Sequence, residues 1–411
     1  MPWFQTFQDG PEYEIRKRRR TFSPPNLSIK RLHNAVPHRL FERSTIRSLG
    51  YIFRHLAITF LFYYLATFID VFTSTRTPHC SSFEWILHCL TRPVLWLLYW
   101  GWQGITFAGL WCLGHEAGHN ALSPYTLVND AIGLIVHTFV LTPYYSWRVT
   151  HSTHHKSTNN MDRDVTYIPS TRTDFKLPDR QIAKRMNYTE VLEETPAFTL
   201  FKLFVRQFFG FQLYLLHNRK GNPRYPTGTS HYIASSMLFQ PKHRMSIFVS
   251  NATIIVFLAL LLSCGYQAGW SHLTVHYLLP WLFAHNWIVL FTYLQHSDPT
   301  IPYYRKEQWT FARGALATVD RPLFGWVGRF FLHNISSDHV AHHFFPSVPF
   351  YNLPEVTEAI KPVLGEYYNY DSTPALYALW RSFTQCRFVE AEGDILFFKN
   401  QHGEAMLEPT V

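Results

Sequence analysis

Charged residues are scarce in this sequence, and one long stretch has none. Asp, Glu, Lys and Arg together make up 16% of the 411 residues, and none of them occurs from Met245 to Ser297. That stretch is long enough for two bilayer crossings of about 20 residues each, with a turn predicted at Cys264–Gly269. The composition therefore argues against a string of ordinary soluble domains and predicts a helical hairpin in a membrane.

Cysteine is also scarce and irregularly spaced. The chain has five cysteines, at positions 80, 89, 112, 264 and 386. An odd number without a CxxC pair argues against a disulfide framework and against a zinc site built from thiolates. Residues 1–50 lack the short apolar core of a cleavable signal peptide, so they are predicted to form a cytosolic tail.

Positive charge is concentrated before the first apolar segment. The net charge is +9, and basic residues run from Arg16 to Arg20 and on to Arg47. Such a segment can bind nucleic acid, but basic residues beside a membrane span usually set its topology and contact anionic lipid. We therefore expect membrane lipid as the partner of this segment, and no nucleic acid.

Four apolar segments predict an all-α integral membrane protein. The predicted spans form two hairpins, at residues 52–75, 92–114, 246–264 and 274–295. A link containing Arg76, Pro78 and Glu84 separates the first two. Residues 51–370 are predicted to form the membrane-bound domain, and residues 371–411 a cytosolic tail. The chain after residue 298 is expected to be a cytosolic helical cap.

Two further segments are predicted to lie at the membrane without crossing it. Residues 131–147 are uncharged but short, and Pro143 interrupts them. If they crossed, His115 and His151 would lie on opposite faces of the bilayer, so a re-entrant or surface helix is expected. Residues 198–216 mix apolar side chains with Lys202 and Arg206, which fits either a surface helix or a buried one.

The distribution of Lys and Arg predicts the orientation. The loop between the last two spans has neither residue, whereas the amino-terminal segment and the segments around Lys156 and Lys220 have several. By the positive-inside rule, both termini and the histidine clusters face the cytosol.

Nine of the 23 histidines fall into a pattern. His115 and His119 are four residues apart, two HxxHH clusters follow, and one histidine stands alone. The two clusters and the single residue are His151, His154 and His155, then His339, His342 and His343, and His296. Because positions i, i+3 and i+4 share a helix face, each cluster is expected to point its imidazoles together.

This pattern indicates a metal site. Each group lies where an apolar run gives way to polar chain, so all can meet at the membrane surface. Neutral imidazole is a ligand for zinc, iron, copper or nickel, and does not name the metal. Eight or nine ligands exceed what one ion of four to six ligands takes, so two neighbouring ions are expected.

Two other classes of protein share parts of the pattern. His115-Glu-Ala-Gly-His119 is also the HExxH motif of zinc proteases, with Glu116 as the base. The extended motif would need a glycine and a histidine where this chain has Leu122 and Tyr125, and it would leave both HxxHH clusters unused. A histidine-rich metal transporter or receptor would place its ligands midway along the spans.

The three clusters resemble the histidine boxes of membrane fatty acyl desaturases. The resemblance covers residues 28–370 and is strongest to delta-12 (oleate) desaturases. Tyr293–His296 and Arg313–Arg321 are also similar to that family, and residues 349–362 have a fungal character.

The resemblance implies a non-haem centre of two iron ions that uses O2 as co-substrate. The implied reaction introduces a cis double bond into a monounsaturated acyl chain, converting oleoyl to linoleoyl. The acyl chain would be carried by a phospholipid or by coenzyme A. The implied ligands are His115, His119, His151, His154, His155, His296, His339, His342 and His343. Four carboxylates are candidates to orient these imidazoles, or are simply caps and solvated charges. They are Asp162, Asp164, Asp320 and Asp338.

The resemblance also implies an endoplasmic reticulum membrane and electrons from cytochrome b5 and its reductase. No His-Pro-Gly-Gly haem motif occurs, so the cytochrome is expected to be a separate protein. Thr292 stands where related acyl-CoA desaturases have Asn, and Ala117 and Ser152–Thr153 also depart from common family residues. The changes at Ala117 and Ser152–Thr153 mark either lineage or altered chemistry, and they keep an acetylenase, conjugase, hydroxylase or specialised desaturase of secondary metabolism as the alternative.

His333 is adjacent in sequence to the last cluster. It precedes His339 by six residues, which is about 120° from the face of the other three if the helix extends that far. We therefore expect His333 to be structural or to contact a ligand, and not to bind metal.

Overall fold

The computed structural model describes residues 7–74 and 82–410, and this part of the chain is mostly helical. Its helices up to residue 217 are α1 (Pro11–Arg18), α2 (Ile29–Ala35), α3 (Thr45–Ala66), α4 (Ile69–Ser74), α5 (Ser82–Gly118), α6 (Thr126–Phe139), α7 (Tyr144–His155), α8 (Arg185–Leu192) and α9 (Pro196–His217). The later helices are α10 (Arg244–Ala268), α11 (Trp270–Leu273), α12 (Leu279–His296), α13 (Phe311–Leu316), α14 (Trp326–Phe331), α15 (His339–Phe344), α16 (Leu353–Leu364) and α17 (Ala375–Gln385). Two short strand pairs complete it: β1 (Thr21–Phe22) lies parallel to β4 (Glu408–Pro409), and β2 (Tyr303–Tyr304) antiparallel to β3 (Ile395–Leu396).

Three helical stretches are long and apolar enough to cross a bilayer. They are Thr45–Thr73, Pro241–Ala268 and Trp270–His296, with mean hydropathies of 1.7, 2.4 and 1.2. Protein buries only 11% and 17% of the most apolar part of the first two, but 50% of the third. Protein therefore leaves most of this apolar part of the first two uncovered, whereas the third forms part of the core.

The first span differs from its predicted bounds. It begins at Thr45, inside the segment predicted as a tail, and not at residue 52. The predicted last residue, Thr75, lies outside the described residues, as does most of the predicted link. Glu84, which was predicted to lie in that link, instead lies in α5, which begins at Ser82.

The predicted second span lies inside α5, a single helix of 37 residues that accommodates Pro93. Its tryptophans, its glycines and Gln103 lower its hydropathy below that of the three stretches above, so a fourth crossing is not confirmed. α5 packs closely against α12. A Cβ atom on Gly104 would lie 2.6 Å from Cβ of Phe283, so only glycine allows this approach.

α6 and α7 form a sharply bent pair. Their axes differ by 108° at a short break that ends in Pro143. Tyr277 donates its hydroxyl to the carbonyl of Phe139, and Trp281 donates its indole N–H to that of Val140. The carbonyls freed at the break are thus satisfied by α12 and the π-helical turn before it, as an apolar surrounding requires. The prediction that this segment does not cross stays a prediction.

The second hairpin turns later than predicted. α10 continues to Ala268, through most of the predicted turn, and the chain reverses at Gly269 with φ of +98°. A positive φ of this size is readily adopted only by glycine. α11, a π-helical turn at Thr274–Leu278 and α12 then follow as one helical stretch.

Both segments predicted as tails are folded against the body of the protein. The Tyr13 side chain is fully buried, and the Gly10 amide donates to Thr373 Oγ1 at 2.8 Å. Through the β1–β4 pair, the two ends of the chain also contact each other. The domain boundaries themselves stay a prediction.

Candidate metal centre

The nine predicted site histidines come from four helices that converge at one end of the bundle. α5 supplies His115 and, just after its last residue, His119. The last two turns of α7 carry the first HxxHH cluster, α12 ends on His296, and the short α15 is built from the second cluster. The histidines therefore lie at helix ends, and not midway along the spans as a transporter would require.

Five of the imidazoles form a first group. Each offers one nitrogen, and these nitrogens all lie within 4.8 Å of one another. The group consists of His115, His119, His151, His155 and His342. Nε2 of His151 is 2.8 Å from Nε2 of His115 and 3.1 Å from Nε2 of His155.

The remaining four form a second group beside the first. The ligand nitrogens of His154, His296 and His343 lie within 4.8 Å of one another. Nε2 of His339 is 3.0 Å from Nε2 of both His296 and His343. The rings of His155 and His343 stack at 4.2 Å, so the two groups are in contact.

The donor set fits two ions. Ligands at right angles around an ion, at the 2.0–2.1 Å usual for imidazole, have nitrogens about 2.8–3.0 Å apart, close to the separations found here. Burial lowers the pKa of His342 to about 3, and burial holds the pKa of His119, His155 and His343 well below the usual range. These rings are neutral and can offer a lone pair. Nε2 of His119 and both nitrogens of His342 are buried without a hydrogen-bond partner.

The grouping corrects one expectation. Each HxxHH cluster was expected to point its three imidazoles together, but both clusters are divided. His151 and His155 belong to the first group while His154 belongs to the second. In α15 the division is reversed, because His342 joins the first group and its cluster neighbours join the second. Viewed along the helix axis, the side chain at i+3 is rotated by about 60° from that at i in one direction, and the side chain at i+4 by about 40° in the other. The two side chains can therefore reach different groups of imidazoles.

Several polar side chains orient the imidazoles from outside. Asp164 accepts a hydrogen bond from Nδ1 of His154 at 2.9 Å, as predicted for one of the four carboxylates. Thr158 Oγ1 lies 3.1 Å from Nδ1 of His343. Such contacts fix the ring orientation and raise the basicity of the other nitrogen.

The other three candidate carboxylates do not contact the imidazoles through their side chains. Asp162 lies 3.5 Å from an Arg305 nitrogen. Asp338 pairs with Arg329 at 2.9 Å. Asp320 accepts from the backbone N–H of Val340 at 2.8 Å, so it holds the first turn of α15 and not a ring.

Thr292 and His333 lie outside both groups. The Thr292 hydroxyl donates to the Ile288 carbonyl at 2.7 Å, within its own helix. His333 lies before α15 begins, with φ of +53°, so the helical extension considered for it does not exist. Its ring packs against His55 and Phe350, each at 4.9 Å between centroids, which agrees with a structural role.

Sequence reasoning missed two contributors to the site. Glu116 was considered only as a protease base, yet its Oε1 accepts from Nδ1 of His115 at 3.1 Å. Trp147 stacks on His151 with centroids 4.4 Å apart and planes 18° apart. A signal for Trp147 was present, since it precedes His151 by four residues on one helix face.

Comparisons with known proteins identify the family. The family model for fatty acid desaturases matches residues 94–374, more than half of the chain. The chain belongs to the fatty acid desaturase family. It is 38% identical over 385 residues to a delta(12) fatty acid desaturase of Mortierella isabellina, covering 92% of each chain.

Other relatives include a hydroxylase as well as a plant desaturase. The desaturase is 35% identical to an oleate hydroxylase of Claviceps purpurea, over 93% of this chain and 82% of that one. It is 36% identical to an omega-6 fatty acid desaturase of the endoplasmic reticulum of Brassica juncea, over 90% of this chain and 89% of that one. The protein is thus an oxidoreductase with membrane-spanning helices, and its resemblance to delta-12 desaturases, including fungal ones, is confirmed. The family excludes the zinc-protease and transporter alternatives.

Proposed function

We propose that this desaturase converts an oleoyl chain to a linoleoyl chain, using two iron ions held by the nine clustered histidines. The observation that carries the proposal is the division of these residues into five and four imidazoles in contact. The match to delta(12) desaturases over 92% of the chain supports the substrate and the position of the new double bond.

Each ion has its own proposed ligands. His115, His119, His151, His155 and His342 would hold one, and His154, His296, His339 and His343 the other. Two bound irons would activate O2 and allow two hydrogens to be removed from adjacent carbons. In the overall reaction, one CH2–CH2 unit, one O2, two electrons and two protons are converted to one cis double bond and two water molecules.

The chain's own residues supply the surroundings of this reaction. Glu116, Thr158 and Asp164 keep three of the rings in orientation. Trp111 and Trp147 pack against His115 and His151, which limits the access of water to the site. Water exclusion matters because a reactive centre that attacks an unactivated C–H bond would otherwise be consumed by side reactions.

The electrons are proposed to come from a separate cytochrome b5 and its reductase at the cytosolic face of the endoplasmic reticulum. The net charge of +9 and the basic residues before the first span favour an acidic partner by long-range attraction. Raising the salt concentration should therefore slow electron transfer, whereas a rate independent of salt would contradict an electrostatic encounter.

The test is expression in a yeast that lacks polyunsaturated lipids, followed by fatty acid analysis and iron determination on the purified protein. We expect linoleate and two irons per chain. A second candidate, favoured by the Claviceps purpurea relative, is hydroxylation of oleate. A hydroxylated, acetylenic or conjugated product would replace desaturation as the function, and iron absent from an active protein would overturn the metal assignment.

A further inference from the structure

The first half of α9 exposes large apolar side chains that no described part of the protein covers. Their exposed fractions lie between 51% and 60%, and they are Phe198, Leu200, Phe201 and Phe204. The second half exposes Phe209 and Leu216 but buries Phe211, Tyr214 and Leu215. α9 thus packs on the bundle by its second half and offers its first half to a lipid surface.

Two cations lie on the first part of α9, among these apolar side chains. Lys202 and Arg206 are one turn apart and share a face. Lys202 forms an ion pair with Glu194 at 2.5 Å, and Arg387 forms a second ion pair with the same carboxylate at 2.8 Å. Arg206 differs from both, since no carboxylate of residues 7–74 and 82–410 lies within 4.0 Å of its guanidinium.

Aromatic rings hold Arg206 in place. Its guanidinium carbon lies 4.7 Å from the ring centroids of both Tyr293 and Phe383. Contacts with ring faces orient a guanidinium without neutralising it. The group has five N–H donors in a planar fork that suits the oxygens of a phosphate, and side chains supply no anion here.

The surroundings of Arg206 are also positive. Partial burial and the nearby charges of Arg206, Arg219 and Lys202 lower the pKa of Lys220 to about 8, against an opposing effect of Asp174. Cations that lie this close together repel one another, and a bound anion would stabilise all of them.

We propose that Arg206 binds the phosphate of the group that carries the acyl chain, either a phospholipid headgroup or the phosphates of coenzyme A. Both sources present the same phosphate ester, at the depth where α9 meets the membrane surface. Tyr293, which holds Arg206, lies one turn before His296 on α12, so the site is adjacent to the histidine cluster. The inference depends on the proposed function only for the identity of the acyl chain.

Steady-state kinetics of Arg206→Gln with three oleoyl carriers test this inference. The carriers are dioleoylphosphatidylcholine, oleoyl-CoA and dioleoylglycerol, and the last has no phosphate. We expect KM to rise at least about tenfold for one or both of the phosphate-bearing carriers, with kcat and KM for dioleoylglycerol unchanged. The carrier whose KM rises identifies the source of the phosphate. Arg180→Gln, which removes an exposed arginine near Glu408, is the matched control and should leave every KM unchanged.

Two results would overturn the inference: an unchanged KM for all three carriers, or an equal rise for dioleoylglycerol, which would mean that Arg206 acts through packing alone. Binding measured without turnover separates the inference from the proposed function. Short-chain phosphatidylcholine should bind the Gln variant at least about tenfold more weakly than the wild type, even if oleoyl chains are not desaturated. Equal binding by the two proteins would also refute the site.

Discussion

Oε1 of Glu116 accepts a hydrogen bond from Nδ1 of His115 at 3.1 Å and lies 3.8 Å from Nδ1 of His342, so one buried carboxylate lies between a ligand on α5 and a ligand on α15. The two histidines belong to the same group of five but to clusters far apart in the chain. Glu116 therefore orients one ligand of the first proposed iron site and lies beside another.

Replacing Glu116 with Gln should weaken that site. The amide keeps the size of the side chain but has one acceptor oxygen where the carboxyl group has two, so it holds the His115 ring with its proton on Nδ1 less firmly. We expect iron affinity or activity to fall about 10–100-fold, as for other contacts to ligand histidines. Iron content and oleate turnover of purified protein measure this. Full activity with two irons retained would show that Glu116 only fills space.

Asp164 offers a matched pair of variants with its neighbour Asp162. Asp164→Asn removes the negative charge and replaces one of the two oxygens that face His154 Nδ1–H with an NH2 group, so it should lower activity about 10–100-fold. Asp162→Asn removes only a half-exposed contact with Arg305 and should leave activity and iron content unchanged. Equal effects of the two variants on activity would contradict an orienting role for Asp164.

Alanine at a single proposed ligand should abolish the product. We expect this for His154, His155, His342 and His343, because removing one imidazole leaves an ion incompletely held while the membrane helices stay intact. Fatty acid analysis and membrane fractionation check both parts of the expectation. His402→Ala, at an exposed position near the carboxyl terminus, is the control and should remain active. Activity retained in two of the four ligand variants would remove the two-iron assignment.

Asp371 should be a major determinant of stability. It pairs with Arg321 and with Arg381, and all three side chains are almost completely buried. Asp371→Asn leaves two buried guanidinium groups short of a counter-charge, so we expect a loss of roughly 3–5 kcal/mol. Unfolding in detergent, monitored by tryptophan fluorescence, measures it. Glu355→Gln, which breaks an exposed pair with Arg39, should cost no more than about 1 kcal/mol.

The same carboxylate should make stability fall in acid. Burial alone would raise the pKa of Asp371, but Arg321, Arg381 and Arg16 outweigh it and hold the pKa well below the usual range. The stabilisation is therefore complete above the pKa of about 3.9 in the unfolded chain and is lost as the pH falls below it. The wild type should lose more stability than Asp371→Asn between about pH 5 and pH 3. Parallel losses in the two proteins would exclude Asp371 as the cause.

The sequence predicted the parts of this protein that depend on local pattern. Absence of charge located the hairpin after Met245. Helical spacing selected eight histidines, the lone His296 was added from its place at the end of a span, and all nine lie in the two groups. Boundaries were less accurate, because α10 continues through most of the predicted turn and α5 already contains Glu84, which was predicted to lie in a link. Helix ends depend on the packing of side chains such as Trp270 against Gly265, which no local pattern reveals.

What the sequence by itself determined is the identity of the nine imidazoles and the helices that carry them. Which imidazoles meet was decided only by the tertiary structure. His154 and His342 are the i+3 members of their clusters, and each lies apart from its cluster neighbours. The physical reason is that α7 and α15 each lie between α5 and the end of α12. Some imidazoles of each cluster meet those of α5, the others meet His296 of α12, and these helices are distant in sequence.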